Sequence, residues 1–192
     1  MSTAIASAEK VSPKKRLITL EKFLERYSSR EDPFKYEWNK GVIEKKERTM
    51  NRNQFLIYRV LLKLFCKTKA FKSDGILISE VDMYLPTYDR TRRADIAVMT
   101  GQQTDQAIDG NPTVCPFVIE VISKNDQINE VEEKIIEYFE NDVKVVWVIF
   151  PKLKKVEVYT SIRDVKICFD NDICSANPVM DDFNISANDL FA

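Results

Sequence analysis

The sequence predicts a mixed α/β (α+β) domain, and three observations predict it. Apolar residues recur at helical spacing in three separate segments. From residue 75 onward the period changes to two, as in half-buried strands. Two short runs, Ile96–Met99 and Phe117–Ile122, are apolar at nearly every position, as central strands covered on both faces are.

The elements follow in order. Leu20, Phe23, Leu24 and Tyr27 have the i, i+3, i+4, i+7 spacing of an amphipathic helix with Thr19 as its N-cap. Tyr36–Glu44 reads as a hairpin whose Asn39-Lys40-Gly41 centre suits a three-residue loop with glycine in the left-handed conformation. A long helix is expected over 51–69, with Phe55, Tyr58, Leu61, Leu62 and Phe65 as its apolar stripe. Ile76 and Ile78, then Val81, Met83 and Leu85, alternate as a strand, and two central strands follow. Residues 100–114, polar and carrying Gly101, Gly110 and Pro112, read as a surface loop. Ile128, Val131, Ile135, Tyr138 and Phe139 mark a helix over 126–141. Strands are expected at Val145–Phe150, Lys155–Thr160 and, more weakly, Val165–Phe169. The polar remainder ends in a Leu190-Phe191 pair that docks.

Composition narrows the chemistry. Of 192 residues, 44% are hydrophobic and 31% charged, enough for a core without a disulfide or metal staple. Histidine is absent, which excludes Ser-His-Asp and Cys-His triads, His-ligated zinc and histidine bases. Cys66, Cys115, Cys168 and Cys174 lack Cys-x-x-Cys spacing and read as small apolar residues in a reducing cytoplasm. Residues 1–16 lack the apolar core of a signal peptide and read as a disordered tail before one domain at 17–192; no 18-residue apolar run spans a membrane. Residues 1–100 carry 21 Lys/Arg against 13 Asp/Glu, and residues 101–192 carry 8 against 17. That asymmetry suits either a basic face for a polyanion or a mixed solvated surface.

The residue out of keeping with its surroundings is Glu120, inside the apolar run Phe117-Val-Ile-Glu-Val-Ile122. A buried carboxylate must be paired, neutral or bound to a cation. Asp95 repeats the pattern at the mouth of the preceding apolar run. Two strands of one sheet can aim both acids into one cleft, where converging carboxylates suit Mg²⁺ or Mn²⁺. Each acid could equally pair with an arginine or cap a turn.

The motifs Tyr36-Glu37-Trp38-Asn39-Lys40-Gly41, Ala94-Asp95, Glu120-Val121-Ile122-Ser123, Lys134-Ile-Ile-Glu-Tyr138 and Val145-Val146-Trp147-Val148-Ile149 occur in one order. In that order they resemble the Uma-two family of restriction endonucleases, within the PD-(D/E)XK nuclease superfamily. The resemblance implies a restriction-endonuclease-like core, a mixed β-sheet flanked by helices, in a Mg²⁺-dependent endonuclease acting on DNA, with Mn²⁺ as a substitute. Asp95 and Glu120 would hold the metal, and Glu37 would be an auxiliary acid. The superfamily's lysine two residues after the second acid is replaced here by Ile122. The helix lysine Lys134 would take its part.

At ~100° per helical residue, Lys134 lies about 60° from Val131 and about 100° from Ile135, on the border of the buried stripe. It could instead form an ordinary i, i+4 pair with Glu130. Ala94 stands where relatives carry proline, and Asn53-Gln54 where they often show His-Gln. Arg90, Arg92 and Arg93, together with Lys45, Lys46, Arg48 and Arg52, adjoin these motifs either as cations for DNA phosphates or as ordinary solvated loop charges. Enzymes cutting both strands are often two-fold dimers, so a homodimer is one assembly open to this chain, which the sequence does not fix. The alternative from another class is a nucleic-acid-binding or regulatory module that kept the fold and lost catalysis.

Overall fold

The computed structural model describes residues 17–192 apart from 29, 48–51, 112 and 125. The expected tail at 1–16, Arg48, Pro112 and the first residue of the 51–69 helix lie outside the described residues. Helix α1 (Leu20–Phe23) is capped by the Thr19 hydroxyl, as its sequence predicts, and runs into a π-helical turn over Leu24–Ser28. Strands β1 (Phe34–Asn39) and β2 (Val42–Glu47) form the expected hairpin. Its loop is two residues, not three: Lys40 and Gly41 both have positive φ, at 47° and 88°, the mirror-image turn that matches strand twist.

The expected 51–69 helix is two elements, α2 (Arg52–Phe65) and α3 (Lys69–Lys72), because Thr68 starts a new helix by accepting from the Phe71 amide. The stripe is also rotated. Ile57, Leu61 and Phe65 are buried with Tyr58 packed beside them, whereas Phe55 is 58% and Leu62 37% exposed. The segment 100–114, expected as a loop, contains α4 (Gly101–Ile108). Thr100 and Gln103 make a capping box there, a signal that the polar composition masked.

Strands β3 (Ile76–Leu85), β4 (Arg90–Met99), β5 (Phe117–Val121), β6 (Val145–Phe150), β7 (Lys155–Ser161) and β8 (Asp164–Cys168) complete an eight-stranded mixed sheet, with β5 and β6 parallel. Its order is β2-β1-β4-β5-β6-β7-β8, with β3 also on β4. Helix α5 (Ile128–Phe139) makes the crossover between the two parallel strands and packs Val131, Ile135 and Tyr138 on one face. The other face carries α2 and the carboxyl-terminal segment, which is more ordered than its polarity predicts. It forms a hairpin, β9 (Ile173–Ala176) and β10 (Met180–Ser186), and a short helix, α6 (Ala187–Leu190). Leu190 docks as expected, and Phe183 sits edge-on to Phe117 and beside Trp147, with ring centroids 5.6 and 5.7 Å away. Cys115, Cys168 and Cys174 are buried; Cys66 is exposed. No helix among the described residues is long and apolar enough to cross a membrane.

Two irregularities position the site. Strand β4 pairs with β3 along its length, but its other edge is shared between two neighbours. Strand β1 meets it only at Asn39↔Arg90, and β5 only from Ile96↔Ile119 to Val98↔Phe117. Residues 91–95 therefore have no ladder partner on that edge, and the sheet forks. The second irregularity lies across β3. Ile76 and Ile78 pack on the same cluster as Val81, Met83 and Leu85, so the alternation slips by one residue. The slip falls on Glu80, whose φ is +56°, directly opposite Asp95 in the register.

Phe183→Ala is expected to cost about 3–5 kcal/mol in denaturant unfolding, the range for a fully buried ring. A cost below 1 kcal/mol would mean that the terminal hairpin is not part of the core.

Candidate active site at the fork

Backbone donors along the fork are bonded by side-chain oxygens instead of ladder carbonyls. The Trp38 amide donates to Thr91 Oγ1 (2.7 Å), the Arg93 amide to Glu37 Oε1 (3.1 Å) and the Val121 amide to Asp95 Oδ2 (2.9 Å). An unpaired buried N–H is costly, so two of these positions draw carboxylates into the sheet.

Asp95 and Glu120 come together as expected. They lie one register position beyond the last β4–β5 pair and line one cleft of about 340 Å³. Alternation places Phe117, Ile119 and Val121 on one face of β5 and turns Glu120 with Val118 toward α5. There Glu120 Oε1 accepts from the Tyr138 hydroxyl (2.6 Å) and Oε2 from Lys134 Nζ (3.0 Å). The i, i+4 alternative for Lys134 is not taken: Glu130 pairs instead with Lys46 at 2.6 Å, outside the cleft's floor. Burial pushes the Glu120 carboxyl above its ordinary value and Asp95 adds to this, while Lys134 and the Tyr138 hydrogen bond oppose it. Burial pulls Lys134 down, but Glu120, then Glu37 and Asp95, outweigh it and hold the ammonium above the ordinary lysine value.

Glu37 lines the same cleft, 6% exposed, with both oxygens engaged: Oε1 by the Arg93 amide, Oε2 by Arg92 Nη1 (3.1 Å). Burial raises its carboxyl, but Lys134, Arg92 and the Arg93 amide override burial and hold it below the ordinary glutamate value.

Arg90, Arg92 and Arg93 are not the loop cations expected from sequence. They belong to β4 and are 8%, 3% and 3% exposed. Arg90 binds Glu137 (3.0 Å) and Glu44 (3.0 Å), Arg92 binds Glu137 (2.6 Å) and Glu37, and Arg93 binds Asp82 across the β3–β4 pair. A strand that must bury carboxylates at its edge needs these guanidiniums inside it. Lys45 and Arg52 are exposed, Lys46 is exposed at the rim of the cleft, and Gln54 lines it.

Four participants were missed from sequence, one of them Asp82, the partner of Arg93 across β3 and β4. Lys35 stands two residues before Glu37 on β1 and so shares its face; its Nζ lies 2.6 Å from Asp95 Oδ1 and 3.7 Å from Glu80 Oε1. Glu80 betrays itself only by the slipped alternation around it. Glu137, three residues after Lys134, looks like one more helix-surface acid. Counting side chains one-fifth exposed or less, the fork gathers six carboxylates (Glu37, Glu80, Asp82, Asp95, Glu120, Glu137) against five cations (Lys35, Arg90, Arg92, Arg93, Lys134). Among the described residues no group of three or more Asp, Glu, Cys or His stands close enough to enclose a metal. Two carboxylates in one open cleft are still what a Mg²⁺ that keeps several waters and takes phosphate oxygens requires, so the donor set fits such an ion.

The Uma2 family model, described as "Putative restriction endonuclease", matches residues 20–188, and the chain belongs to that family. No curated protein matches. Among solved structures, the crystal structure of "a putative nuclease belonging to DUF820 from Anabaena variabilis ATCC 29413" superimposes with a TM-score of 0.73. It is 18% identical, over 91% of this chain and 97% of that one. The two share a fold: a large mixed sheet flanked by helices, as the resemblance implied.

Glu37→Gln is expected to destabilise the protein by about 3 kcal/mol at neutral pH, because it strands buried positive charge. The carboxyl is depressed in the folded state, so its contribution is complete above the ordinary value of 4.5 and fades as pH falls through the folded value. Denaturation of both proteins at pH 7 and in acid should show the gap narrowing; a gap independent of pH would remove Glu37 from the network.

Proposed function

We propose that this chain is a divalent-metal-dependent endonuclease that hydrolyses phosphodiester bonds in DNA. The observation that carries it is the convergence of Asp95 and Glu120 from neighbouring strands in one cleft, with Lys134 3.0 Å from Glu120. Family membership supports the nuclease class, and fold alone would not assign an activity.

Asp95 and Glu120 would hold Mg²⁺, or Mn²⁺ in its place. When bound, such an ion polarises a phosphate oxygen and lowers the pKa of a coordinated water. Tyr138 orients Glu120 by holding one oxygen, which leaves the other toward the cleft and Lys134. Lys134 stays protonated and offers its ammonium to charge that grows on the phosphate. Glu37 positions Arg92 and the β4 backbone and adds to the potential that keeps Lys134 charged. With the β4 arginines engaged in the sheet, phosphate contact falls to the exposed cations Lys45, Lys46 and Arg52, of which Lys46 stands at the cleft rim.

Calorimetric titration with Mn²⁺ tests the site without a known DNA sequence. Saturable binding by the wild type, lost in Asp95→Ala and in the Asp95→Ala/Glu120→Ala double variant while both still unfold cooperatively, is the expected result. Retained binding in the double variant rejects the assignment. Separately, Lys46→Ala should weaken DNA binding about equally across sequences and reduce the salt slope of log Kd by about 1. An unchanged slope would take Lys46 off the DNA path.

A further inference from the structure

Lys35 does something that neither a surface lysine nor a packing residue would do. Its ammonium is 2.6 Å from Asp95 Oδ1, on the carboxylate assigned to the metal, and 3.7 Å from Glu80 Oε1 on the far side. Its side chain is 20% exposed and lines the cleft. Each of the two carboxylates assigned to the metal thus has its own lysine: Lys35 on Asp95, Lys134 on Glu120. The two lysines are held differently. Lys134 projects from the middle of α5 beside a Glu120 that Tyr138 also fixes. Lys35 stands on β1, which meets β4 at a single pair, and a second acceptor lies within a small swing of its stem. That acceptor is held in place at some cost, since Glu80 keeps a left-handed backbone (φ +56°) opposite Asp95.

We propose that Lys35 is the resident counter-ion of the metal seat: its ammonium neutralises Asp95 while no divalent cation is present, yields Oδ1 when one binds, and moves to Glu80. An ammonium and a divalent ion cannot share one carboxylate oxygen without strong repulsion at this separation. Metal affinity in the free protein is therefore set by a competition between Lys35 and the ion, with Glu80 lowering the cost of the exchange. This rests on the reading of Asp95 and Glu120 as metal ligands and adds what controls their occupancy.

The test is Mn²⁺ affinity, measured by calorimetry at mildly alkaline pH on wild type, Lys35→Met, Lys35→Gln, Glu80→Gln and Lys35→Met/Glu80→Gln. Lys35→Gln keeps a donor for Asp95 without the charge, in case Lys35→Met does not fold. Removing the ammonium should tighten Mn²⁺ binding about tenfold. Glu80→Gln alone should weaken it several-fold, because the displaced ammonium loses its acceptor, and should have no effect once Lys35 is Met. A wild type that binds Mn²⁺ through Asp95 with unchanged or weaker affinity in both Lys35 variants overturns the counter-ion role and leaves the metal site standing. An equal effect of Glu80→Gln with and without Lys35 overturns the exchange. If neither wild type nor the Lys35 variants bind Mn²⁺, both the metal site and the counter-ion fall together.

Discussion

The fork between β1 and β5 on the edge of β4 is the constraint on which the rest of the molecule depends. A sheet interior has no water to satisfy a backbone amide, so a strand edge left without a neighbour must find other acceptors. Here Glu37 and Asp95 supply them, which places carboxylates within the sheet. Every unusual feature nearby answers that placement. Three arginines enter β4, Glu137 faces inward from α5, and two lysines reach the cleft floor. The alternation of β3 slips at Glu80 beside the same point.

Charged residues in this network divide by what they can still do. Arg90, Arg92, Glu37 and Glu137 bind one another at nearly complete burial, Arg93 holds Asp82, and their geometry is that of a scaffold. Asp95, Glu120, Lys35 and Lys134 line the open cleft, paired as two carboxylate–lysine contacts. Buried ion pairs contribute little net stability compared with apolar packing, while breaking one is expensive. The scaffold thus fixes the geometry of the cleft while adding little net stability. Lys134 illustrates the balance: a surface pair with Glu130 was available, yet the lysine turns inward, and Glu130 takes Lys46.

The relation to the DUF820 protein of Anabaena variabilis is one of architecture, with 18% identity across nearly the whole of both chains. Five short motifs, each unspecific alone, point in series to the family whose model matches residues 20–188.

What the sequence determined by itself was local. The Thr19 cap, the β1–β2 hairpin, the buried strands β5 and β6 and the amphipathic α5 follow from periodicity and propensity. So does the anomaly of Glu120, because a carboxylate in a fully apolar run is visible without knowing its neighbours. Tertiary structure alone decided who those neighbours are. Arg90–Arg93 look like loop charges until β4 is extended back to residue 90. Lys35 and Asp95 are 60 positions apart, and Glu37 and Arg92 are 55 apart. Helix α4 and the terminal hairpin escaped notice because their polar composition hid a capping box and a core aromatic. Partner choice among charges is a question of distance and burial, and neither quantity exists until the sheet has formed and forked.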